Sequence, residues 1–480
     1  MLIAASLPPG RRDRIVAGVL LLAVALAYSN VFAGGFQFDD FNVIVREASV
    51  RSVSAWWRAQ PGIRPLLKMS YALNHESGGG LAGFHAFNLA IHAASTLLVW
   101  RLASALAPAA SGDASDQRRL AFMVAVVFAL HPVQTEAVTY VSGRSTSLAA
   151  CFALLAIVVW LRGRERDDRR AVSLWSPLAF AAALGCKEFV VVVPLALVLC
   201  ERLRVDGPPA WRTLWHDLRV HALVAAIAFA AAAAVPRYRL LLDTSLAARG
   251  IVANLLTQAQ ALGWLAGQLV HVDALNADPA LPAVTASDAA AWLAAIVWAG
   301  LIAASLWSWR RHRTAAFSLL WFLLWLAPTN SLLPRLDVAN DRQLYVALIG
   351  PAFGAAALLV RFARRTDVAM WVPMLMLVLG AAAWQRNRVY QDEIDFWADA
   401  ATKSPYNARA FANLGHALAD RGRAADAEEA FDVALQLDPR LHQAAINRQL
   451  LRAGEWPRAG APAGACRTMR PPWTTASCPH

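Results

Sequence analysis

Long apolar runs separated by short polar segments dominate residues 15–385 of the chain. Most of them approach the length of about 20 residues that an α-helix needs to cross a bilayer. This pattern predicts an all-α polytopic membrane protein with about 11 transmembrane helices. The predicted spans are 15–33, 84–107, 119–131, 144–161, 171–186, 189–203, 220–235, 288–308, 315–328, 344–361 and 367–385.

The charges of the connecting segments predict the orientation of the chain. If the N-terminus lies in the cytoplasm, four Arg-rich loops also lie there, as cytoplasmic loops should. This arrangement requires an even number of crossings between residues 236 and 287, so the apolar stretch 251–270 is predicted to re-enter the membrane or to lie at its interface. The four loops are 162–170, 201–219, 307–313 and 361–367.

Composition narrows the class of protein further. The chain is 58% hydrophobic and 16% charged, with a formal net charge of +12. Because most of the Arg residues sit in short loops, the positive charge fits the asymmetry of membrane-protein loops better than binding to nucleic acid. Arg11, Arg12 and Arg14 precede the apolar run 15–33, which we interpret as an uncleaved first transmembrane helix rather than a signal peptide.

Unusual polar residues gather on the predicted outer side. The first outer loop, 34–83, contains "FQFDDFNVIV" (36–45), in which Asp39 and Asp40 directly follow an apolar run. Lys187 and Glu188 lie between two apolar runs with almost no loop to solvate them. Ionisable residues at such depth are costly and tend to mark function. A structural ion pair that caps a tight hairpin is the alternative interpretation of Lys187 and Glu188.

The C-terminal part of the chain changes character. Residues 389–456 are polar and helical in pattern, with a 34-residue period that relates Trp397 to Phe431 and Pro405 to Pro439. Small residues where helices cross and large ones between them predict a tetratricopeptide repeat (TPR) region. The tail 457–480 is rich in Pro, Ala and Gly and is predicted to be disordered.

A series of motifs resembles one family of enzymes. They occur in the family's order and cover most of residues 36–440. The chain resembles the transmembrane and tetratricopeptide-repeat O-mannosyltransferases and their bacterial relatives, within the GT-C class of glycosyltransferases. The motifs are "FDDFNVI", "RPLLKMSYALNH", "HPVQTEAVTYVSGRSTSLA", "CKE", "LLTQAQALGWLAGQLVHVDALNADP", "PTNSLLP" and "NDRQLY".

The resemblance implies a fold and an activity. Residues 1–388 would form a GT-C-like transmembrane domain, and the enzyme would use a polyprenyl-phosphate sugar on the outer face of the membrane. A mannose-like hexose would pass to a hydroxyl of a protein Ser/Thr residue or of a glycan. The resemblance also places an acidic pair of the first outer loop at the active site.

Chemistry assigns expected roles to the outer residues. A carboxylate can take the proton of the attacking hydroxyl, and we favour Asp40 over Asp39, the other orienting the loop or binding a metal. The leaving phosphate needs a cation; Arg342 is the first choice, with Lys187 and Arg64 behind it. The further expected donor-binding residues are His131, Glu188 and Tyr345.

The need for a metal stays open at this stage. Asp39 and Asp40 would hold a divalent cation such as Mg or Mn only with further oxygen ligands. Glu136, Glu188 and Asp278 are the candidates if the fold brings them together.

Two other functions remain open as well. A transporter or flippase of a lipid-linked substrate would also need polar groups in the membrane, and a TPR scaffold would bind a partner protein. The abundance of Ala and Arg suggests a GC-rich bacterial genome. This places the protein in a bacterial inner membrane, with undecaprenyl phosphate as the expected lipid and the TPR region in the periplasm.

Overall fold

Helices form the whole of the regular structure in the part of the chain that is described. The computed structural model describes residues 8–59, 62–204, 209–335, 337–362 and 365–456, and the tail 457–480 lies outside them. The chain divides into two units, the first comprising residues 1–275 and 281–390 and the second 276–280 and 391–480. An all-α membrane protein was predicted, and the all-helical architecture with several long apolar helices confirms this class.

The first unit contains seventeen α-helices in its described residues. They are α1 (Pro9–Ala27), α2 (Val53–Ala59), α3 (Pro65–Glu76), α4 (Gly80–Leu106), α5 (Ala114–Leu130), α6 (Thr135–Val138), α7 (Arg144–Glu165), α8 (Ser176–Leu184), α9 (Val193–Leu203), α10 (Trp211–Ala234), α11 (Pro236–Ala248), α12 (Ile251–Gln268), α13 (Ala289–Trp307), α14 (Trp309–Leu326), α15 (Leu344–Ala347), α16 (Ile349–Phe362) and α17 (Arg365–Val389).

Five described helices are long and apolar enough to cross a membrane, and three bent helix pairs raise that number to eight if each pair is one span. The eleven predicted crossings therefore stay a prediction. One bent pair joins α11 and α12 at 88°, and the bend directly precedes the stretch 251–270 that was predicted to re-enter or to lie at the interface. A right-angle bend suits either arrangement, because a straight crossing would not need one.

The core of the first unit lies where α4, α5 and α7 pack together. The second half of α5 is buried almost completely, from Leu120 to Leu130. On α7, the small residues Ala149, Ala150 and Ala153 are fully buried. Small side chains let helix backbones approach closely, which is how helices associate in a membrane where the hydrophobic effect does not drive them together.

The segment 34–83, which was predicted to connect the first two spans on the outer side, contains helical structure. It includes α2, α3 and the start of α4. A short π-helical turn, Phe41–Val45, directly follows the paired aspartates. Ile44 and Tyr71 of this segment pack on Val141, in a small apolar cluster separate from the main core. The cluster fixes the aspartates against the start of α7.

The second unit is a short run of helices with its own core. Its helices are α18 (Glu393–Lys403), α19 (Ala408–Asp420), α20 (Ala424–Leu437) and α21 (His442–Arg452). Gly415 of α19 lies against Phe431 of α20, so closely that a Cβ on Gly415 would come within 2.8 Å of the phenylalanine ring. The 34-residue period predicted such contacts between a small residue of one helix and a large residue of the next. The assignment of this unit as a TPR region remains a prediction.

Asn276–Ala280 joins the second unit through hydrogen bonds. The side chain of Asp278 is paired with the Arg409 guanidinium and accepts a hydrogen bond from Asn407. The amide of Asn276 donates to the Ser404 hydroxyl at 2.8 Å. A segment from the middle of the sequence is thus part of the C-terminal unit.

Gly350 gives a test of the packing between α14 and α16. A Cβ at this position would overlap the carbonyl oxygen of Ser318 and lie 3.0 Å from Cβ of Trp321. We expect Gly350→Ala to lower the free energy of unfolding by about 1–3 kcal/mol, because the backbones would have to separate. Thermal unfolding in detergent measures this.

Gly300→Ala on α13 is the matched control. No atom lies within 4 Å of the added carbon, and alanine favours a helix by up to about 1 kcal/mol over glycine. Equal unfolding temperatures for the two variants would contradict the close approach.

Candidate functional site

Asp40 is a buried carboxylate with both oxygens engaged. Its side chain is 0% exposed. One oxygen accepts hydrogen bonds from the backbone N–H and the hydroxyl of Ser142, the first at 2.8 Å. The other accepts from the backbone N–H of Gln37 at 3.0 Å. Asp40 thus joins the segment 34–83 to the turn before α7, and the two residues that form the bond are 102 positions apart in the chain.

Burial dominates the acidity of Asp40. Removal from water disfavours the charged form and raises its pKa to about 7, although the three hydrogen bonds act in the opposite direction. The raised pKa fits a general base by itself. A substrate, however, cannot reach a carboxylate that has no exposed surface and no free oxygen.

Asp39, by contrast, is partly exposed. Its backbone N–H donates to the hydroxyl of Tyr140 at 3.0 Å. Its charge acts on Tyr140 and on Arg342, so the three groups lie near one another. Phe38, just before it, has a positive φ of 42°. A left-handed conformation is costly for a residue with a large side chain and is often found at functional sites.

The turn that carries Tyr140 and Ser142 is held by buried side chains. The amide of Asn88 donates to the carbonyl oxygens of Val138, Tyr140 and Val141 at 3.2–3.4 Å. Arg144 is fully buried and donates to the Asn88 side-chain oxygen at 2.6 Å. The guanidinium and the amide together rigidify the turn that holds the aspartates.

Arg342, the first choice for the phosphate, is paired with Glu136. The Glu136 carboxylate accepts from the Arg342 backbone N–H at 2.7 Å and lies 3.4 Å from the guanidinium. Glu136 is buried and Arg342 is largely so. From the sequence, Glu136 was expected only as a possible metal ligand. In the structure it holds Arg342 in position through the backbone N–H and the guanidinium.

Arg64 is paired with Glu188. Two of its nitrogens donate to the two carboxylate oxygens at 3.0 and 2.8 Å, and the hydroxyl of Tyr238 adds a third bond at 2.7 Å. Burial would raise the pKa of Glu188, but the charge and hydrogen bonds of Arg64 outweigh it and hold the pKa at about 2. This carboxylate is therefore ionised at every physiological pH.

Lys187 and Glu188 do not pair with each other. The Lys187 backbone is extended, with φ −163° and ψ 146°. Neighbouring side chains of an extended segment point in opposite directions. The Lys187 ammonium donates instead to the hydroxyls of Thr146 at 2.7 Å and Ser145 at 3.3 Å. The alternative of a Lys187–Glu188 ion pair is therefore wrong.

Burial lowers the pKa of Lys187 well below its usual value, and the nearby charges of Arg342, Arg64 and Arg335 lower it further. The structure thus brings together six of the residues that the sequence proposed for the outer side: Asp39, Glu136, Arg64, Lys187, Glu188 and Arg342.

Three other predicted residues have structural partners elsewhere. His131 accepts from the backbone N–H of Val133, and its other ring nitrogen lies 3.1 Å from the carbonyl oxygen of Leu269. Tyr345 is fully buried, and its hydroxyl lies 2.9 Å from a ring nitrogen of His92. Asp278 belongs to the second unit, where Arg409 pairs with it.

Sequence reasoning missed four residues of this site: Asn88, Tyr140, Ser142 and Arg335. Tyr140 and Ser142 lie in the motif "HPVQTEAVTYVSGR", where a hydroxyl group beside a predicted turn could have marked them as site residues. Asn88 is a single amide inside an apolar run, which is a weaker indication of a role in the site. Nothing in the sequence around Arg335 distinguishes it from a loop arginine.

The residues around Asp39 do not fit a divalent cation. Within the described ranges, no three His, Cys, Asp or Glu side chains come together to hold a metal ion. The groups near Asp39 include Arg342, and both oxygens of Asp40 are occupied by N–H and O–H donors. Positive charge and occupied oxygens suit an anion better than a metal ion.

Comparison with known proteins supports the resemblance of the motifs. The chain is similar to curated protein O-mannosyl-transferases. It is 34% identical over 200 residues to Protein O-mannosyl-transferase Tmtc2 of Drosophila melanogaster. The aligned region covers 37% of this chain and 20% of that relative. It is 26% identical over 215 residues to Protein O-mannosyl-transferase TMTC4 of Homo sapiens, or 39% of this chain and 28% of the relative.

The likeness is partial. With Protein O-mannosyl-transferase F38B6.6 of Caenorhabditis elegans, the match covers 29% of the relative. The chain therefore spans between a fifth and three tenths of the length of these relatives. No protein-family model matches the sequence. No solved structure matches it either.

The burial of Asp40 predicts a dependence of stability on pH. Between pH about 4 and 7 the unfolded chain loses the Asp40 proton while the folded protein retains it, because the folded pKa is about 7. Stability from this group is therefore fully present below pH 4 and is lost as the pH rises towards 7. Unfolding temperatures of wild type and Asp40→Asn in detergent, measured from pH 4 to 8, test this.

The wild type should lose stability relative to Asp40→Asn across that range. Asp40→Asn should also be less stable at pH 5 by about 1–3 kcal/mol, because an amide NH₂ would face a backbone N–H that has lost its acceptor. Parallel pH profiles for the two proteins would refute the raised pKa.

Proposed function

We propose that the protein is a membrane glycosyltransferase that moves a mannose-like hexose from a polyprenyl-phosphate donor to an acceptor hydroxyl. The observation that carries the proposal is a partly exposed carboxylate, Asp39, beside buried cations in a helical membrane protein. The names of its relatives support transfer of mannose to protein. The donor, the face of the membrane and the GT-C class come from the resemblance of the motifs.

The chemistry needs a base and a site for the leaving group. The acceptor oxygen forms a bond to the anomeric carbon while the bond from that carbon to the phosphate oxygen breaks. The hydroxyl proton passes to a carboxylate, and the bond electrons stay with the phosphate. General base catalysis contributes about 10²–10⁴-fold to such a step. Cations placed where the charge develops lower the barrier further.

We assign the base to Asp39 and a positioning role to Asp40. The sequence favoured Asp40, but only Asp39 has exposed surface from which to meet a substrate hydroxyl. Asp40 fixes the loop through Ser142 and thereby sets the direction of Asp39. The Tyr140 hydroxyl accepts a hydrogen bond from the Asp39 backbone N–H, and the positive charge of Arg342 lies near the Asp39 carboxylate.

The remaining expectations complete the proposal. The phosphate site is framed by Arg64 and Arg342, each of which is paired with a carboxylate. Lys187 lies close enough to both arginines for their charges to lower its pKa. The reaction takes place on the outer face of a bacterial inner membrane, and undecaprenyl phosphate is the expected lipid. The C-terminal helices α18–α21 assist with the acceptor.

Turnover by the Asp39→Asn protein tests the assignment. The purified full chain in nanodiscs is given a panel of polyprenyl-phosphate sugars and acceptor peptides, and sugar transfer is followed by mass spectrometry. We expect Asp39→Asn to lower kcat by about 10²-fold or more and to bind the donor as the wild type does. The amide has the shape of the carboxylate but cannot take a proton.

Asp243→Asn is the matched control, since Asp243 is an exposed acid on α11 and lies outside the site. It should turn over like the wild type. Loss of activity in Asp40→Asn alone, with Asp39→Asn active, would reverse the assignment. A wild type that transports the lipid-linked sugar but never transfers it would favour a flippase.

A further inference from the structure

The described part of the first unit contains a cavity of about 230 Å³ between α4 and α7. Four residues of α4, from Arg101 to Ala105, and four of α7, from Val158 to Glu165, line it. Its volume is far above the about 10–15 Å³ that one water molecule needs. The cavity therefore has room for a polar group of several atoms.

The cavity lies far from the paired aspartates. At the start of α7, the Arg144 guanidinium donates to Asn88 of α4 at 2.6 Å, close to the turn that holds Asp40. Arg162 follows Arg144 by eighteen residues on the same helix, which is about 27 Å at 1.5 Å per residue. The hydrocarbon core of a bilayer is about 30 Å thick. A helix that crosses the membrane over this length places the aspartates and the cavity at opposite surfaces.

The lining of the cavity changes from apolar to polar towards its mouth. Leu102, Val158 and Leu161 are buried and form an apolar floor. The other side of the lining includes Arg162 and Glu165, which are exposed, so the cavity opens to the surface of the protein. Pockets of this kind between transmembrane helices, with basic residues at the membrane surface, bind lipid headgroups.

Arg101 is already engaged on two sides. Its guanidinium donates to the Asp13 carboxylate of α1 at 3.0 Å. It also lies over the ring of Trp100, with 4.2 Å between the guanidinium carbon and the ring centroid. Arg101 thus closes one wall of the cavity and brings no unpaired charge to it.

Arg162 and Glu165 are the charged groups of the lining that have no such partner. Among the residues that the structure describes, none forms a hydrogen bond or an ion pair with either side chain. Positions three apart on a helix are neighbours, with about 5–6 Å between their Cβ atoms. The charges that act on Arg162 are those of two arginines, Arg101 and Arg166, and two carboxylates, Glu165 and Asp13. The cavity thus presents one cation and one anion side by side, in surroundings that are balanced in charge.

We propose that this cavity binds the headgroup of phosphatidylethanolamine, with the lipid phosphate at Arg162 and the primary ammonium at Glu165. A guanidinium can donate two N–H groups to phosphate oxygens, and an ammonium donates charge-assisted hydrogen bonds to a carboxylate. Two carbons link the phosphate and the ammonium of this headgroup, so its opposite charges are neighbours, as those of Arg162 and Glu165 are.

Other common headgroups match the cavity less well. Phosphatidylglycerol has the phosphate but no cation, so Glu165 would face a negative charge without compensation. Phosphatidylcholine has a quaternary ammonium, which has no N–H to donate to the carboxylate. The inference concerns the membrane surface opposite the proposed active site and does not depend on the proposed function.

The experiment measures the affinity of single lipids for the full-length protein in detergent by native mass spectrometry. The probes are phosphatidylethanolamine, phosphatidylcholine and phosphatidylglycerol with identical acyl chains, so that differences report the headgroup alone. We expect wild type to bind phosphatidylethanolamine at least fivefold more tightly than either of the others.

Two variants separate the two halves of the headgroup. Arg162→Gln should lose at least fivefold in affinity for all three lipids, because each contains a phosphate. Glu165→Gln should lose at least fivefold for phosphatidylethanolamine alone, and its preference over phosphatidylcholine should disappear. Arg162→Lys retains the cation and should keep most of the affinity.

The matched control is Arg311→Gln, which removes an exposed arginine of α14 from another Arg-rich segment. It should bind all three lipids as the wild type does. Since Arg162 and Glu165 are exposed, their variants should unfold at the wild-type temperature. If one does not, the other variant and Arg162→Lys carry the comparison.

A soluble probe identifies the source of the headgroup. Glycerophosphoethanolamine has the same phosphate and ammonium but no acyl chains, and it should not displace the lipid at concentrations at which the lipid saturates the protein. Displacement at equal concentration would assign the cavity to a soluble ligand and overturn the proposal.

Three further results would contradict it. Equal affinities of the wild type for the three lipids would show that the cavity does not select a headgroup. An unchanged preference in Glu165→Gln would remove the carboxylate from the site. A preference for phosphatidylglycerol that Arg162→Gln abolishes would make the cavity a site for anionic lipids instead.

Discussion

The arrangement of the site depends on one buried carboxylate. Asp40 accepts three hydrogen bonds, two from Ser142 and one from Gln37, and has no contact with solvent. A buried acceptor of this kind is costly to leave unsatisfied, so the segment 34–83 and the turn before α7 are held in one relative position. This relative position also determines which groups lie near Asp39, among them Tyr140 and Arg342. The adjacent aspartates thus differ in environment: Asp40 is fully buried and holds the segment in place, whereas Asp39 is partly exposed.

The cations divide in a similar way. Arg64 and Arg342 are each matched to a carboxylate, so they shape the site and cancel their own charge. Lys187 has hydroxyl partners instead, Thr146 and Ser145, and burial together with three nearby arginines lowers its pKa well below the usual value. The site therefore limits its positive charge in two ways: carboxylates neutralise two of its arginines, and burial displaces its lysine towards the neutral form.

Much of this organisation could be predicted from the sequence. Apolar runs near bilayer length predicted the helices, since length and composition are local properties. The clustering of Asp39, Lys187 and Arg342 was predicted because the order of the crossings puts their three loops on the same side of the membrane. That assignment needs only the number of spans and the positive charge of the loops between them. Which aspartate is exposed did not follow, because it depends on Ser142, more than one hundred residues away. The partners of Lys187 and Glu188 did not follow from the sequence either. Their adjacent positions left an ion pair between them as the alternative interpretation, but the extended backbone at Lys187 turns the two side chains towards different partners.

The participation of residues 276–280 in the C-terminal unit has a consequence for synthesis of the chain. Asp278 and its partner Arg409 are separated by 131 positions. At a translation rate of about 5–20 residues per second, roughly ten seconds pass between their appearances. During that interval the Asp278 carboxylate has no arginine to neutralise it, and the loop cannot take its final form. The segment around Asp278 therefore gains this ion pair only after α19 has been synthesised, and a chain cut at residue 390 would lack it.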